Sequence, residues 1–139
     1  MPTEVRELVQ ELIDAWNARD PERVLACYHP DVEVWDPSLA EPVRGLEALR
    51  QWLAAYWRAF PDMGFEVHQI VMEGDRAALQ WTACATHQGP LGPLPPTGRA
   101  VRFVGTSFLQ LRQGRVEKAS YLWDQMALLQ ALGALPPGS

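Results

Sequence analysis

The chain has 139 residues, of which 47% are hydrophobic and 21% charged, as in one folded domain rather than a disordered segment. A domain of this size buries roughly two-thirds of the surface of its unfolded chain, which is enough for a core and one internal pocket. The net charge is −5 and no basic block occurs, so the composition argues against nucleic acid or an anionic membrane surface as a partner.

The first helix is predicted over residues 3–17, where apolar side chains repeat at helical spacing. Asp20 followed by Pro21 is typical of the N-cap and first turn of a second, short helix. Residues 32–36 then alternate as in a strand, and residues 45–60 have the pattern of a third helix. The first half of the chain is therefore predicted to be mostly helical.

The second half has the pattern of antiparallel strands. The predicted elements are strands 65–72 and 77–87, a loop over 88–100 that is rich in proline and glycine, strands 101–112 and 115–123, and a final helix over 125–132. Helices early and strands late predict an α+β fold with the helices on one face of an antiparallel sheet. We expect a single domain over residues 1–135 and a flexible tail over 136–139.

The N-terminus, the length of the apolar runs and the spacing of cysteine and histidine predict the location of the protein and argue against a metal site. The N-terminus has neither the basic start nor the apolar centre of a signal peptide, and no apolar run is long enough to span a bilayer. Cys27 and Cys84 are isolated, and the three histidines lack ligand spacing. We predict a cytoplasmic protein with two buried thiols, no metal site and no cofactor.

Three side chains could handle protons. Asp36 shares a strand side with Val32 and Val34, so it would face an apolar interior, although an Asp before Pro also favours a turn. Asp124 ends the last predicted strand but directly precedes a helix, where it would serve equally well as an N-cap. His87 lies where a strand enters the proline-rich loop and could shuttle a proton or be purely structural.

Tryptophan is abundant for a chain of this length. Six indoles suggest a wide apolar interior, and each could either line a pocket for a flat ligand or simply fill the core. The candidate pocket residues are Trp16, Trp35, Trp52, Trp57, Trp81 and Trp123.

Several short motifs, in the same order along the chain, resemble those of the SnoaL-like polyketide cyclases of the nuclear transport factor 2-like (cystatin-like) superfamily. They are Ala59-Phe60-Pro61-Asp62, Glu73-Gly74-Asp75-Arg76, Thr86-His87-Gln88-Gly89, Pro95-Pro96-Thr97-Gly98-Arg99 and the segment from Asp124 to Gly133. The resemblance implies a cone-shaped, curved antiparallel sheet packed on the N-terminal helices, with a pocket inside. It also implies an acid–base role for Asp124. The histidine that the cyclases carry on the preceding strand has no counterpart over residues 107–112, which leaves His87 as its substitute.

A second resemblance concerns Asp36. Asp36-Pro37 followed by the segment 41–45 is similar to the part of ketosteroid isomerases that bears their general base. Their oxyanion tyrosine would fall near Leu12, which cannot donate a hydrogen bond. Limonene epoxide hydrolases share the fold but need an Asp-Arg-Asp set, of which Arg102 and Arg112 could supply only part.

These observations favour an acid–base enzyme of the cyclase or isomerase type that acts on a small hydrophobic carbonyl compound without metal or nucleotide. Asp124 would be the principal group, assisted by Asp36 or His87. The alternatives are a non-catalytic binding module of the same fold and an epoxide hydrolase. We further expect the loop over 88–100 to cover the pocket or contact a second subunit. A homodimer is predicted to form through outward strand residues, namely Val104, Phe108, Tyr121 and Trp123.

Overall fold

The structure is a computed structural model that describes residues 2–134, with side chains from residue 5 onward. The predicted tail over 136–139 lies outside the described residues. Within the described part of the chain, no helix is long and apolar enough to cross a membrane.

The elements follow the predicted order, with helices early and long strands late. They are α1 (Pro2–Ala18), α2 (Pro21–Ala26), β1 (Tyr28–Trp35), β2 (Val43–Arg44), α3 (Leu46–Ala59), β3 (Gly64–Glu73), β4 (Arg76–Thr86), β5 (Ala100–Arg112), β6 (Arg115–Trp123) and α4 (Gln125–Ala131).

The strands form one curved, six-stranded sheet in the order β2-β1-β6-β5-β4-β3. Neighbouring strands are antiparallel except β1 and β6, which run parallel. The predicted α+β fold class is confirmed. β1 begins earlier than predicted because Tyr28 pairs with Val116 of β6, and this tertiary pairing outweighs the local effect of Pro30.

The helix boundaries follow from local chemistry. The Asp20 side chain accepts a hydrogen bond from the backbone N–H of Arg23 at 3.3 Å, which caps α2. α3 ends one residue before Phe60 and Pro61, since proline cannot continue a helix. α1 packs against β3 and α3 against β1, so both helices cover the same face of the sheet.

The two long hairpins carry most of the sheet. At the β5–β6 turn, Gln113 and Gly114 have φ angles of 55° and 75°. Positive φ at both central residues is the type I′ turn, whose twist matches that of the paired strands. The turn therefore pairs Arg112 with Arg115 and Leu111 with Val116. A bulge at Glu117 then shifts the register by one residue for the rest of the two strands.

The proline-rich loop does not cover the pocket. The backbone N–H groups of Gln88 and Gly89 donate to the carbonyl oxygen of Ala59, which ties the loop to the C-terminal end of α3. A Cβ on Gly89 would lie 2.0 Å from the carbonyl oxygen of Arg58, so only glycine permits this approach. No loop residue lines the cavity found in the described part of the chain.

The outward face of the sheet differs from the prediction at three residues. Val104 and Phe108 are more than half exposed, as expected, but Tyr121 and Trp123 face inward and line the cavity. Phe108 pairs with Ser120, so from Lys118 onward the even-numbered residues of β6 point outward, and the parity assumed for Tyr121 and Trp123 was wrong. Cys84 is also exposed, whereas Cys27 is buried as predicted. The homodimer through this face stays a prediction.

Candidate functional site

A partly open cavity lies between the helical layer and the inner face of the sheet. Most of its wall is apolar, and polar side chains contribute at only a few points. The lining residues are Leu12, Ile13, Trp16, Asp36, Trp52, Tyr56, Met63, Phe65, Val67, Leu79, Trp81, Phe103, Ser107, Leu109, Tyr121 and Trp123. A largely apolar wall with a few convergent polar groups is the usual composition of a small-molecule site.

Asp36 is the one carboxylate among the described residues that line this cavity, and it is 5% exposed. Its position follows from strand alternation, because Val32 and Val34 of β1 are buried on the same side. Asp36 stands one residue beyond the end of β1, where the chain turns toward Ser38. The sequence-based expectation that Asp36 faces an apolar interior agrees with this placement.

Five donors surround the Asp36 carboxylate. Oδ1 accepts from the backbone N–H of Ser38 at 2.9 Å, from its hydroxyl at 2.8 Å and from the Trp123 indole at 3.2 Å. Oδ2 accepts from the Tyr56 hydroxyl at 2.6 Å and from the Trp52 indole at 3.2 Å. A carboxylate offers about four lone-pair sites, so the two oxygens are fully occupied in this arrangement.

The donors come from three parts of the chain, namely the turn after β1, the helix α3 and the end of β6. Trp52 and Tyr56 are four residues apart in α3, which places both on one face of the helix. Trp123 is the last residue of β6. Burial and the negative charge of Asp36 raise the pKa of Tyr56. Tyr56 therefore stays protonated and serves as a hydrogen-bond donor rather than as a base.

A second polar pair lies deeper, where the Tyr28 and Tyr121 hydroxyl groups share a short hydrogen bond. Burial raises the pKa of Tyr28 to about 12 and that of Tyr121 well above its ordinary value. The Tyr121 ring stacks on Trp52, with centroids 5.7 Å apart and planes 23° from parallel. These contacts join the back of the cavity to the donors of Asp36.

The third polar point is Ser107 on β5, which is 5% exposed. Its Oγ accepts a hydrogen bond from the Trp81 indole N–H at 2.8 Å. Trp81 lies directly opposite Gly105 in the β4–β5 pair. A Cβ on Gly105 would meet the Trp81 ring at 2.4 Å, so the missing side chain is what allows the indole to lie over the strand.

The described residues hold no group of three or more histidine, cysteine, aspartate or glutamate side chains that could bind a metal ion. No arginine of the described chain lines the cavity either. Arg112 instead contacts Asp31 and Glu117 at the surface. The carboxylate–arginine pair that an epoxide hydrolase of this fold requires is thus not formed in the cavity.

The family model of the SnoaL-like polyketide cyclases matches residues 6–132. The chain belongs to this family. AclR from Streptomyces galilaeus, described as a candidate hydroxylase, is 30% identical with a TM-score of 0.85, and the match covers 96% of this chain and 98% of that one.

Two further structures are similar over nearly the whole domain. One is a candidate SnoaL-like polyketide cyclase from Jannaschia sp. CCS1, which is 26% identical with a TM-score of 0.87 and coverage of 96% of this chain and 94% of that one. The other is IdmH from Streptomyces antibioticus, a candidate polyketide cyclase, at 26% identity, a TM-score of 0.78 and coverage of 93% and 98%. No curated protein matches the chain.

In this SnoaL-like protein, the predicted proton-handling residues do not converge. Asp36 lines the cavity, but Asp124 is exposed and accepts a hydrogen bond from the backbone N–H of Ala127 at 2.9 Å, as the N-cap of α4. His87 is fully buried, and its Nδ1 accepts from the backbone N–H of Thr97 at 3.2 Å. That contact holds the base of the proline-rich loop, outside the cavity lining.

The tryptophans divide into three groups. Trp16, Trp52, Trp81 and Trp123 line the cavity. Trp57 packs against Trp16, with ring centroids 5.5 Å apart, and supports the wall from behind. Trp35 is 48% exposed on the outward side of β1, so the structure places it away from any wall of the cavity.

Sequence reasoning missed Tyr56, Ser107 and Tyr121 as site residues. A usable signal existed for Tyr56, since it follows Trp52 by four residues on the apolar face of a predicted helix. Tyr121 shares the inward parity of Trp123 on β6. No local pattern distinguishes Ser107, because its place in the cavity depends on the pairing of β5 with both neighbouring strands.

Proposed function

We propose that the protein transfers protons on a planar, hydrophobic carbonyl compound, with Asp36 as the general base. The observation that carries the proposal is the position of the Asp36 carboxylate, 5% exposed and aimed into an aromatic cavity with Tyr56, Trp52 and Trp123 as its donors. A base fixed beside an apolar wall meets its substrate with little solvent to compete for it.

The chemical step moves one proton and one electron pair. The C–H bond next to the substrate carbonyl breaks, its proton goes to Oδ2 of Asp36, and the electron pair forms an enolate. Asp36 then returns the proton to carbon at another position, which is an isomerisation. Alternatively, the enolate carbon attacks a second carbonyl group and closes a ring, and the alkoxide oxygen that results takes the proton back from Asp36. Neither route needs an oxidant, a reductant or a further reactant.

The hydroxyl donors can free a lone pair of the Asp36 carboxylate for this step. O–H groups rotate, whereas the two indole N–H groups and the Ser38 backbone N–H are fixed. When the Tyr56 O–H group rotates away from Oδ2, one lone pair of Oδ2 becomes free to take the substrate proton. The Tyr56 hydrogen then has the Ser38 hydroxyl, 3.5 Å away, as its acceptor. Tyr56 keeps its own proton throughout, since burial and Asp36 raise its pKa.

Membership of the SnoaL-like polyketide cyclase family supports this reaction class, because cyclisation of a polyketide also begins at an acidic carbon. The choice of Asp36 over Asp124 rests on placement. Asp124 lies on the exposed N-cap of α4, where its Oδ1 is engaged with the backbone. A base must reach the proton that it removes, and of these two carboxylates only Asp36 lines the cavity.

The test is exchange of the acidic C–H protons of β-tetralone, a flat bicyclic ketone, in deuterated buffer followed by NMR. Asp36→Asn keeps the shape of the side chain but removes the base, and we expect exchange to slow about 10²–10⁴-fold. Asp124→Asn is the matched control, since Asn caps a helix as well as Asp does and the site is untouched. Equal rates for wild type and Asp36→Asn would remove Asp36 from the mechanism.

The second candidate function is binding of a flat hydrophobic ligand without catalysis. It is favoured by the five donors on Asp36, which occupy both oxygens and would equally suit a purely structural carboxylate. Under this alternative, β-tetralone quenches tryptophan fluorescence on binding, but its protons exchange no faster than in buffer. Binding together with accelerated exchange excludes it.

A further inference from the structure

We infer that Ser107 binds the carbonyl oxygen of the ligand and donates a hydrogen bond to the enolate that forms from it. The role in binding stands on the geometry of Ser107, and the role toward the enolate rests on the function proposed above. The ligand class that this arrangement fits is a flat ketone with a hydrogen-bond acceptor on the side facing β5.

The hydrogen of the Ser107 hydroxyl group has no acceptor among its contacts with the described residues. An indole nitrogen can only donate, so in the contact with Trp81 the serine oxygen must be the acceptor. The Ser107 hydrogen is thereby left without an acceptor in the described part of the chain. Ser107 is 5% exposed, and a buried donor without an acceptor is unfavourable. A ligand oxygen in the cavity would supply the missing acceptor.

The packing of Trp81 holds the Ser107 hydroxyl group in place. The Trp81 indole lies over Gly105, where any side chain would collide with the ring, and it also contacts Phe65 and Phe103 at centroid distances of 5.3 and 6.3 Å. A packed indole keeps its N–H direction. It therefore keeps the Ser107 oxygen in one orientation, with the hydroxyl hydrogen directed away from the indole. Such a donor is set in place before the ligand arrives, as electrostatic stabilisation of developing charge requires.

Ser107 on β5 and Asp36 just after β1 line the cavity from positions that are separated by β6. Ser107 lies opposite Tyr121 on β6, and Asp36 follows Trp35, which pairs with Ser120 of the same strand. Two strand spacings therefore separate Asp36 from Ser107, or about 10 Å between their backbones. Both side chains line the same cavity from these positions. When the carbonyl oxygen of the ligand is hydrogen-bonded to Ser107, the ligand carbon next to the carbonyl group lies on the side of Asp36.

The test compares β-tetralone with its methylidene analogue, which has the same shape but a CH₂ group in place of the carbonyl oxygen. We expect the wild-type protein to bind the ketone more tightly than the analogue. In Ser107→Ala, the ratio of the two affinities should fall about tenfold, the usual effect of one hydrogen bond. Ser107→Thr keeps the hydroxyl and should restore the preference. Ser120→Ala on the neighbouring strand is the matched control and should behave as wild type.

Infrared difference spectroscopy measures the carbonyl stretching band of bound, carbonyl-labelled β-tetralone. A change in folding stability alone does not shift the frequency of this band. A hydrogen bond from Ser107 lowers the carbonyl stretching frequency, so the band should shift upward in Ser107→Ala and return in Ser107→Thr. The inference is overturned by an unshifted wild-type band, by a band indifferent to Ser107→Ala, or by a wild-type protein that does not bind the ketone.

The two proposals fail separately. If Asp36→Asn exchanges protons as fast as wild type while the carbonyl band still depends on Ser107, Asp36 is not the base, but Ser107 does bind the carbonyl. If exchange depends on Asp36 while the band ignores Ser107, the proposed function stands and the carbonyl-binding role of Ser107 is wrong.

Discussion

Asp36 directly follows β1 and Asp124 directly follows β6, but the Asp36 side chain is buried and the Asp124 side chain is exposed. Asp36 points to the inner face, where indole, phenol and serine donors surround it. Asp124 is exposed and caps α4 through a single backbone contact. Two carboxylates in similar local sequence settings thus have different chemistry, because the parity of a strand residue decides which face it joins.

The largest expected effect is on stability, and it separates the two aspartates. Asp36→Ala leaves several buried donors without an acceptor, so we expect the free energy of unfolding to fall by about 3 kcal/mol. Asp124→Ala removes one N-cap contact and should cost about 1 kcal/mol. Urea denaturation measures both variants. Equal losses would mean that the donors around Asp36 find solvent when the carboxylate is removed.

Burial of Tyr28 on the inner face of the sheet predicts that the protein loses stability at alkaline pH. The pKa of Tyr28 is about 12 in the folded protein and 10 in an unfolded reference, a raised value. The stability that this burial contributes is therefore present below pH 10 and is lost as the pH rises toward 12. The loss is roughly 2–3 kcal/mol for one fully buried group.

Absorbance of tyrosinate during an alkaline titration measures this transition. The chain has three tyrosines, and the pKa of each is raised, so none should ionise near pH 10 while the protein is folded. Tyr28→Phe should reduce the alkaline loss of stability. A tyrosine that titrates reversibly near pH 10 in the folded protein would show that the inner face is open to water.

Gly105 tests how the inner wall is packed. Gly105→Ala would place a Cβ 2.4 Å from the Trp81 ring, and the indole must move. We expect a loss of about 1–3 kcal/mol, typical of overpacking, and a changed tryptophan emission spectrum. Gly98→Ala is a control away from the cavity, because it has a positive φ of 72° but open space around the added Cβ. An unchanged emission spectrum in Gly105→Ala would argue against the close approach of Trp81.

The smallest effect contrasts the two thiols. Burial raises the pKa of Cys27 to about 11, whereas Cys84 is exposed on the outer face. Near neutral pH, iodoacetamide should therefore alkylate Cys84 first and leave Cys27 mostly unmodified, with little change in stability. Mass spectrometry after timed quenching identifies the site. Faster reaction at Cys27 would mean that α2 opens readily from β1.

Much of the fold was predictable because its signals are local. The apolar spacing of α1 and α3, the Asp20-Pro21 start of α2 and the two hairpin turns each lie within a short segment. β2 was not predicted, since two residues become a strand only through pairing with β1. The outward parity of β6 was wrong for the same reason, because it depends on the register with β5.

The candidate site was predictable in part. Alternation over Val32, Val34 and Asp36 correctly indicated an inward carboxylate, a property of a single strand. Ser107 had no such signal. The emphasis on Asp124 came from the family resemblance, whereas the N-cap position, which the sequence also indicated, is the one that Asp124 occupies.

By itself, the sequence determined every element except β2, the α+β class and a buried aspartate among many aromatic side chains, since hydrophobic periodicity and turn chemistry act over a few residues. Only the tertiary structure decided that Tyr56, Trp52 and Trp123 meet at Asp36, and that Ser107 shares their cavity. Those contacts join residues far apart in the chain, and their formation depends on strand register and on how α3 packs across the sheet.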